Sequence, residues 1–192
     1  MRSNLALRAA AVAAAVVLPA AARAQNAAIV NNPATTEFGV DAGATFGLGS
    51  KSYVGINLPA QRARVGFFLA GDPRLEIEPS AGINYLKNKD ADAVTVYNLE
   101  LGVLYHLRAP TYVTGATGAT VAYVRPFFGY QGTVVGGGGA DSHQTTLGGG
   151  LGLKLPVRTN IALRAEANLG YDFNNKAARL GLLAGGSFFA FR

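Results

Sequence analysis

The sequence predicts an all-β fold: an eight-stranded antiparallel up-and-down transmembrane β-barrel, preceded by a cleavable signal peptide. Three observations support this prediction. Long segments alternate apolar and polar residues, as strands with two unlike faces do. Hydrophobic residues make up 49% of the chain and charged residues only 15%, yet no run after residue 24 approaches the roughly 18 apolar residues of a membrane helix. The amino terminus has the pattern of an export signal, so strands rather than helices are expected to cross a membrane.

Residues 1–24 have the three parts of a secretory signal peptide. A start with two arginines is followed by an apolar run over residues 9–18 and by a small-x-small cleavage site at residues 22–24. Cleavage is predicted between Ala24 and Gln25. The alternative of a membrane anchor is disfavoured, because a spanning helix needs about 20 apolar residues.

The segment after the signal is predicted to be a polar leader over residues 25–36, followed by one barrel domain over residues 37–192. Loss of the three arginines in residues 1–24 leaves 14 of the 17 basic residues against 11 acidic ones, so the net charge falls from +6 to +3. The remaining basic residues are dispersed, so no nucleic-acid partner is expected. The chain has no cysteine, which excludes a disulfide-stapled fold.

Residues 161–173 show the strand pattern most clearly. Every odd position from Ile161 to Phe173 is apolar, whereas the even positions include Arg164 and Glu166. A helix would scatter the same apolar residues around its axis. At about 3.3 Å per residue and a tilt of about 40°, these 13 residues rise about 33 Å, which is enough to cross a bilayer.

The same alternation recurs along the chain. It runs over residues 38–48, 75–85, 93–107, 121–135 and 144–155. Eight long strands are therefore predicted, beginning near residues 37, 63, 74, 93, 120, 143, 160 and 178.

Two segments leave the strand assignment open. Residues 49–62 allow either a short strand over 53–58 or the continuation of a longer strand across a loop, because Pro59 interrupts the pattern. Residues 178–192 have an ambiguous facing, because a Leu-Leu and a Phe-Phe doublet place apolar side chains on both faces.

The connections between the predicted strands differ in length and composition. Those after the second and sixth strands are short, whereas most others are longer, charged or rich in glycine. This asymmetry is typical of a transmembrane barrel with short periplasmic turns and longer outer loops. Residues 108–119 depart from it, because they are too many for a typical periplasmic turn.

A soluble, lipocalin-like barrel with apolar residues inside is the alternative. The polar faces are sparse and rich in glycine, whereas a solvated surface carries more lysine and glutamate. Aromatic residues near strand ends also suit the interfaces of a bilayer. These aromatic residues are Tyr85, Tyr97, Tyr105, Tyr171 and Phe173. The membrane barrel is favoured.

With the apolar faces toward lipid, the charged residues of the strands point into the barrel. The predicted lumen charges are Asp41, Glu76, Glu78, Glu100, Arg125, Lys154, Arg164 and Glu166. Charges in a confined interior must pair or be hydrated, so a salt-bridge network that fills the lumen is the favoured interpretation. The alternative is a narrow pore whose charges tune ion selectivity. Five acids against three bases predict a hydrated lumen, a bound cation or one carboxyl that keeps its proton.

Candidates for catalysis, cofactor binding and metal binding are few, and none is predicted. The chain has two histidines, His106 and His143, too few for a convincing zinc site. Residues 141–143 read Asp-Ser-His, but sequence neighbours on one strand or loop rarely face one site, so a chance arrangement is favoured. Residues 136–139 are glycines without the Lys-Ser/Thr of a phosphate loop.

Residues 37–192 resemble the small eight-stranded outer-membrane barrels of Gram-negative bacteria, of the OmpA transmembrane-domain and OmpX kind. The resemblance rests on the signal, the strand count, the facing and the aromatic carboxyl end. It implies assembly by the barrel-assembly machinery, which reads terminal aromatic residues, here Phe189 and Phe191. Arg192 departs from the family pattern, in which an aromatic residue is last.

The resemblance also implies a function. We expect a monomeric barrel without an appended domain, embedded in the outer membrane and in contact with its lipid and lipopolysaccharide. Its expected role is structural and interactive: to support membrane integrity and to present outer loops for contacts. A small passive pore is one alternative. A lipid A-modifying enzyme is another, because some barrels of this kind act on lipid A with a His, Ser and acid cluster.

Overall fold

Alternating residues place the chain in strands that pair antiparallel with their sequence neighbours and close into a barrel where the last strand meets the first. The strands are β1 (Ala34–Leu48), β2 (Tyr53–Leu69), β3 (Asp72–Leu86), β4 (Val94–His106), β5 (Val121–Val135), β6 (Ser142–Arg158), β7 (Ile161–Asp172) and β8 (Ala177–Phe191). The predicted eight-stranded antiparallel barrel is confirmed. Each strand has 12 to 17 residues.

This computed structural model describes residues 34–48, 53–86, 92–108, 110, 119–138, 141–158 and 160–191. The predicted signal peptide, its cleavage site at Ala24 and Gln25, and residues 25–33 of the predicted leader lie outside the described residues. Within the described ranges, no helix is long and apolar enough to cross a membrane.

Two predicted strand starts are wrong. β1 begins at Ala34 rather than near residue 37, so the end of the predicted leader is strand. β2 begins at Tyr53 rather than near residue 63, so the open segment is the first half of a 17-residue strand. The period of two fails there because β2 contains extra residues. Asp41 of β1 pairs with Arg62 of β2, and Gly43, two residues further along β1, pairs with Asn57. β2 therefore bulges between Asn57 and Arg62.

Apolar side chains form the outer surface of the barrel, whereas most residues that face the lumen are glycine, polar or charged. Ile83 and Leu151, for example, are 73% and 67% exposed. The structure also settles the facing of β8, since Phe188 is exposed while Leu183 and Phe189 are buried in the lumen. An apolar outside and a polar inside are what a bilayer requires of a barrel.

The barrel has two ends, which are here called the turn end and the loop end. The turn end carries the connections 70–71, 107–120 and 159–160, together with the start of β1 and the end of β8. The loop end carries the connections 49–52, 87–93, 136–141 and 173–176.

Candidate functional site: the barrel lumen

A cluster of ion pairs fills the half of the lumen nearer the turn end. Residues two or four apart on one strand face inward together, so β1, β2, β3 and β7 each contribute two charges. The lumen cluster consists of Glu37, Asp41, Arg62, Arg64, Glu76, Glu78, Glu100, Arg125, Lys154, Arg164 and Glu166. All are buried except Glu100, whose side chain is 23% exposed.

Glu78 of β3 is surrounded by three guanidinium groups. Arg164 donates to both of its carboxylate oxygens, one of them at 3.2 Å. Arg125 Nε lies 3.1 Å from Oε1, and Arg64 Nη1 lies 3.5 Å from Oε2. Because β3 and β7 stand opposite each other in the barrel, the Arg164–Glu78 pair spans the lumen.

A tyrosine links this group to a second carboxylate. The Tyr123 hydroxyl accepts from Arg164 Nε at 2.6 Å and donates to Glu166 Oε2 at 2.8 Å. Arg164 Nη2 and Arg125 Nη1 also donate to Glu166, at 2.6 and 3.1 Å. The guanidinium of Arg164 lies over the Tyr123 ring, 4.9 Å from its centroid. Each charge in this group therefore has more than one partner.

Lys154 of β6 bridges two carboxylates from other walls of the barrel. Its ammonium pairs with Glu37 of β1 and lies 2.7 Å from Glu76 of β3. Arg64 also pairs with Glu37, and the Ser187 hydroxyl donates to the same carboxylate at 2.7 Å.

Two arginines of β2 complete the cluster toward the middle of the barrel. Arg62 Nε donates to Asp41 at 2.9 Å, and its Nη1 donates to Glu100. Arg64 Nε lies 3.1 Å from the same Asp41 carboxylate. Arg62 Nη2 also lies 3.8 Å from Glu166 Oε2, so Arg62 links four strands, β1, β2, β4 and β7.

The structure brings all eight lumen charges named from the sequence into this one cluster. Sequence reasoning missed three of its members: Glu37, Arg62 and Arg64. Glu37 stands at the first position of the predicted barrel. Arg62 is the last residue of the segment 49–62, whose strand assignment the sequence leaves open, and Arg64 lies two residues beyond it. The spacing along β1 could have indicated Glu37, because residues four apart on a strand face the same side and Asp41 was predicted to face the lumen. Six acids and five bases leave one excess negative charge, compared with the excess of two counted from the sequence.

An aromatic layer closes the lumen at the turn end. Phe68 lies 5.7 Å from His106 and 6.4 Å from Phe189, measured between ring centroids. His106 Nδ1 is 3.0 Å from the carbonyl oxygen of Arg74, so this nitrogen carries the proton. Phe189, predicted as part of the assembly signal, is 1% exposed in this layer, and the side chain of Phe191 lies outside the described residues.

A cavity of about 330 Å³, here called the vestibule, lies between the lumen cluster and the loop end. Residues of all eight strands line it, among them Tyr53, Asn98 and Asn168. Arg62 and Glu100 of the lumen cluster lie at its floor. The exposed part of Glu100 shows that solvent reaches this floor.

Asp141 and His143 of the Asp-Ser-His run contact other parts of the chain. His143 is exposed and stacks on Tyr130, with ring centroids 6.2 Å apart. Asp141 accepts a hydrogen bond from the backbone of Val135 at 3.4 Å. The other histidine, His106, is buried at the opposite end of the barrel.

Among the described residues, one group of acids is close enough to share a metal ion. Carboxylate oxygens of Glu37, Glu76 and Glu78 lie within 4.8 Å of one another. The ammonium of Lys154 already lies between Glu37 and Glu76, and Arg164 binds Glu78. Cationic side chains therefore neutralise this group, and it does not fit a metal site.

Comparison with solved structures identifies the fold. Neisserial surface protein A aligns with a TM-score of 0.54 and 18% identity over 80% of this chain and 96% of that one. Ail of Yersinia pestis aligns with a TM-score of 0.51 and 10% identity, over 82% of this chain and 99% of Ail. The N-terminal barrel of Pseudomonas aeruginosa OprF aligns with a TM-score of 0.50 and 18% identity, over 81% of this chain and 99% of that barrel. No protein-family model and no curated protein sequence matches the chain. The chain has the fold of the small eight-stranded outer-membrane β-barrels.

Proposed function

We propose that the chain is an integral outer-membrane barrel with a structural and interactive role, whose lumen is sealed rather than conducting. The fold and the apolar outer surface support the location. Outer-membrane lipid and lipopolysaccharide would then contact that surface, and the loop end would present its connections for contacts outside the cell. Assembly by the barrel-assembly machinery and a monomeric state belong to the same proposal.

One observation carries the sealed lumen: ion pairs join opposite walls of the barrel. Arg164 of β7 reaches Glu78 of β3, and Lys154 of β6 reaches both Glu37 of β1 and Glu76 of β3. Below them the aromatic layer fills the turn end. An ion crossing the lumen would have to separate buried charge pairs, each of which costs several kcal/mol to break. The same links hold the walls together, which suits a rigid structural barrel.

Membrane location is tested by fractionation and by heat-modifiability. We expect the protein to fractionate with the outer membrane and to be extracted from it only by detergent. We also expect the folded barrel to migrate differently in SDS gels before and after boiling. Recovery as a freely soluble periplasmic protein would overturn the membrane assignment.

The structural role is tested in cells that lack the protein. We expect the deletion strain to take up a hydrophobic fluorescent dye faster than the parent, because the outer membrane is weakened. Wild-type protein should restore the barrier, and so should His143→Ala, because His143 has no part in the lumen. A changed lipid A mass profile that depends on His143 would instead support the enzyme alternative.

A further inference from the structure

The vestibule has the size and position of a ligand site. Its volume of about 330 Å³ is within the range of small-molecule sites, roughly 300–1,000 Å³. The lumen cluster forms its floor, and the walls come from all eight strands. The walls therefore lie on regular strands, which hold side chains more rigidly than loops do.

Its lining is rich in amides and hydroxyls. Four amide side chains line it, from four different strands: Asn84, Asn98, Gln131 and Asn168. An amide donates and accepts hydrogen bonds, and so does a ligand hydroxyl, so the two groups match in any orientation. The ring of Tyr53 stands in the wall and is 49% exposed, which offers an apolar surface for the face of a sugar ring.

The charges at the vestibule are compensated within the protein. Arg62 at the floor binds Asp41 and Glu100. Arg179 in the wall donates to Gln144 at 3.2 Å and lies 3.7 Å from Asp172. The lining therefore offers no free charge of either sign to a ligand among the described residues, which favours a neutral one.

The amides are within reach of a ligand in the vestibule. All four residues are half-buried, so part of each stays open to the cavity. Asn168 Nδ2 already donates to Glu166 at 3.3 Å. Asn84, Asn98 and Gln131, on the adjoining strands β3, β4 and β5, are therefore the amides best placed to bind a ligand.

Glycines leave room for such an occupant. A Cβ atom at Gly55 would meet no atom within 4 Å, and one at Gly129 would lie 3.8 Å from the Glu100 side chain. Both glycines line the vestibule. The space beside them is therefore open, so a side chain placed at Gly129 would fill the vestibule without a clash at its Cβ.

We propose that the vestibule binds a neutral polyhydroxylated ligand of the monosaccharide or short-oligosaccharide class, held by the amide side chains of Asn84, Asn98 and Gln131. Hydroxyls of the ligand exchange hydrogen bonds with these amides, which both donate and accept. This inference goes beyond the proposed function and does not depend on it, because a sealed lumen and a conducting one both leave the vestibule open to a ligand.

The test is an NMR titration of the full folded barrel, labelled with ¹⁵N, in phosphocholine micelles that contain no sugar. The probes are glucose and sucrose, with glucuronate as the charged comparison. We expect saturable shifts of the side-chain amide signals of Asn98 and Gln131, with a Kd of about 1 mM. Glucuronate should bind at least about tenfold more weakly than glucose, because no free cation is available to it in the vestibule lining.

Matched variants locate the binding site. Gly129→Leu fills the vestibule and should weaken glucose binding by about tenfold or more. Gly149→Leu places the same side chain on the outer face, where its Cβ would also meet no atom within 4 Å, and should bind as the wild type does. If Gly129→Leu does not fold, Asn98→Leu removes the amide at nearly constant size and should weaken binding likewise.

Three results would overturn the proposal. The first is the absence of any saturable shift up to about 100 mM of either neutral sugar, which would leave only water in the vestibule. The second is tighter binding of glucuronate than of glucose, which would contradict the neutral ligand class. The third is unchanged binding in both Gly129→Leu and Asn98→Leu, which would place the sugar elsewhere.

Discussion

Removing the side chain of Arg164 should destabilise the barrel more than removal of any surface cation. Arg164 is 2% exposed and binds Glu78 through two nitrogens, Glu166 at 2.6 Å and the Tyr123 hydroxyl at 2.6 Å. Loss of one partner from a buried pair costs about 3–5 kcal/mol. Arg125 still contacts both carboxylates at 3.1 Å, so the lower end, about 3 kcal/mol, is expected for Arg164→Ala.

The assay is urea unfolding of the barrel in lipid vesicles, with the folded fraction read from unboiled SDS gels. With a urea slope of about 2 kcal/mol per M, a loss of about 3 kcal/mol lowers the midpoint by about 1.5 M. Arg74→Ala is the matched control, because Arg74 pairs with Asp72 at the exposed turn end and its side chain is 45% exposed. No change of midpoint is expected there. Equal midpoints for Arg164→Ala and wild type would refute the reasoning.

Three other substitutions test separate contacts by the same assay. Tyr123→Phe removes a bridging hydroxyl and should cost about 1–3 kcal/mol, whereas an unchanged midpoint would show that the hydroxyl links nothing. Phe189→Ala should cost about 3–5 kcal/mol, because the ring is 1% exposed, and a loss well under 1 kcal/mol would contradict its packing. Gly66→Val should be destabilising, because its Cβ would collide with Oε1 of Glu76, whereas Gly55→Val, with no atom within 4 Å of its Cβ, should not. Similar midpoints for these two variants would count against the close packing of Glu76 on Gly66.

The period of two is enough to predict the strand count and the facing of most strands. Each strand repeats one alternation, and the facing of a charge such as Arg125 follows from its parity with its neighbours. Odd or even position no longer predicts the facing of a side chain where the backbone is irregular. The bulge in β2 inserts residues that shift the phase, so alternation alone does not assign the first half of that strand. The doublets in β8 have no single phase, and only pairing with β1 and β7 fixes their facing.

The pairing of charges across the lumen could not be derived from the sequence. It depends on how far neighbouring strands are staggered around the barrel, which no local pattern encodes. Lys154 and Arg164 illustrate this, because they are direct cross-strand neighbours of like charge on β6 and β7. Such a pair is destabilising in isolation. It is compensated here by Glu76 and Glu78, which reach the two cations from β3.

Single-channel recording in a planar bilayer tests the sealed lumen most directly. Wild-type barrel should show no steady conductance, because the Arg164–Glu78 pair and its neighbours span the lumen. The double variant Glu78→Ala/Arg164→Ala removes that link and should show measurable conductance or frequent openings. Steady conductance by the wild type, with an ion selectivity that changes when Glu76 or Arg164 is replaced, would contradict the sealed lumen and support the passive pore.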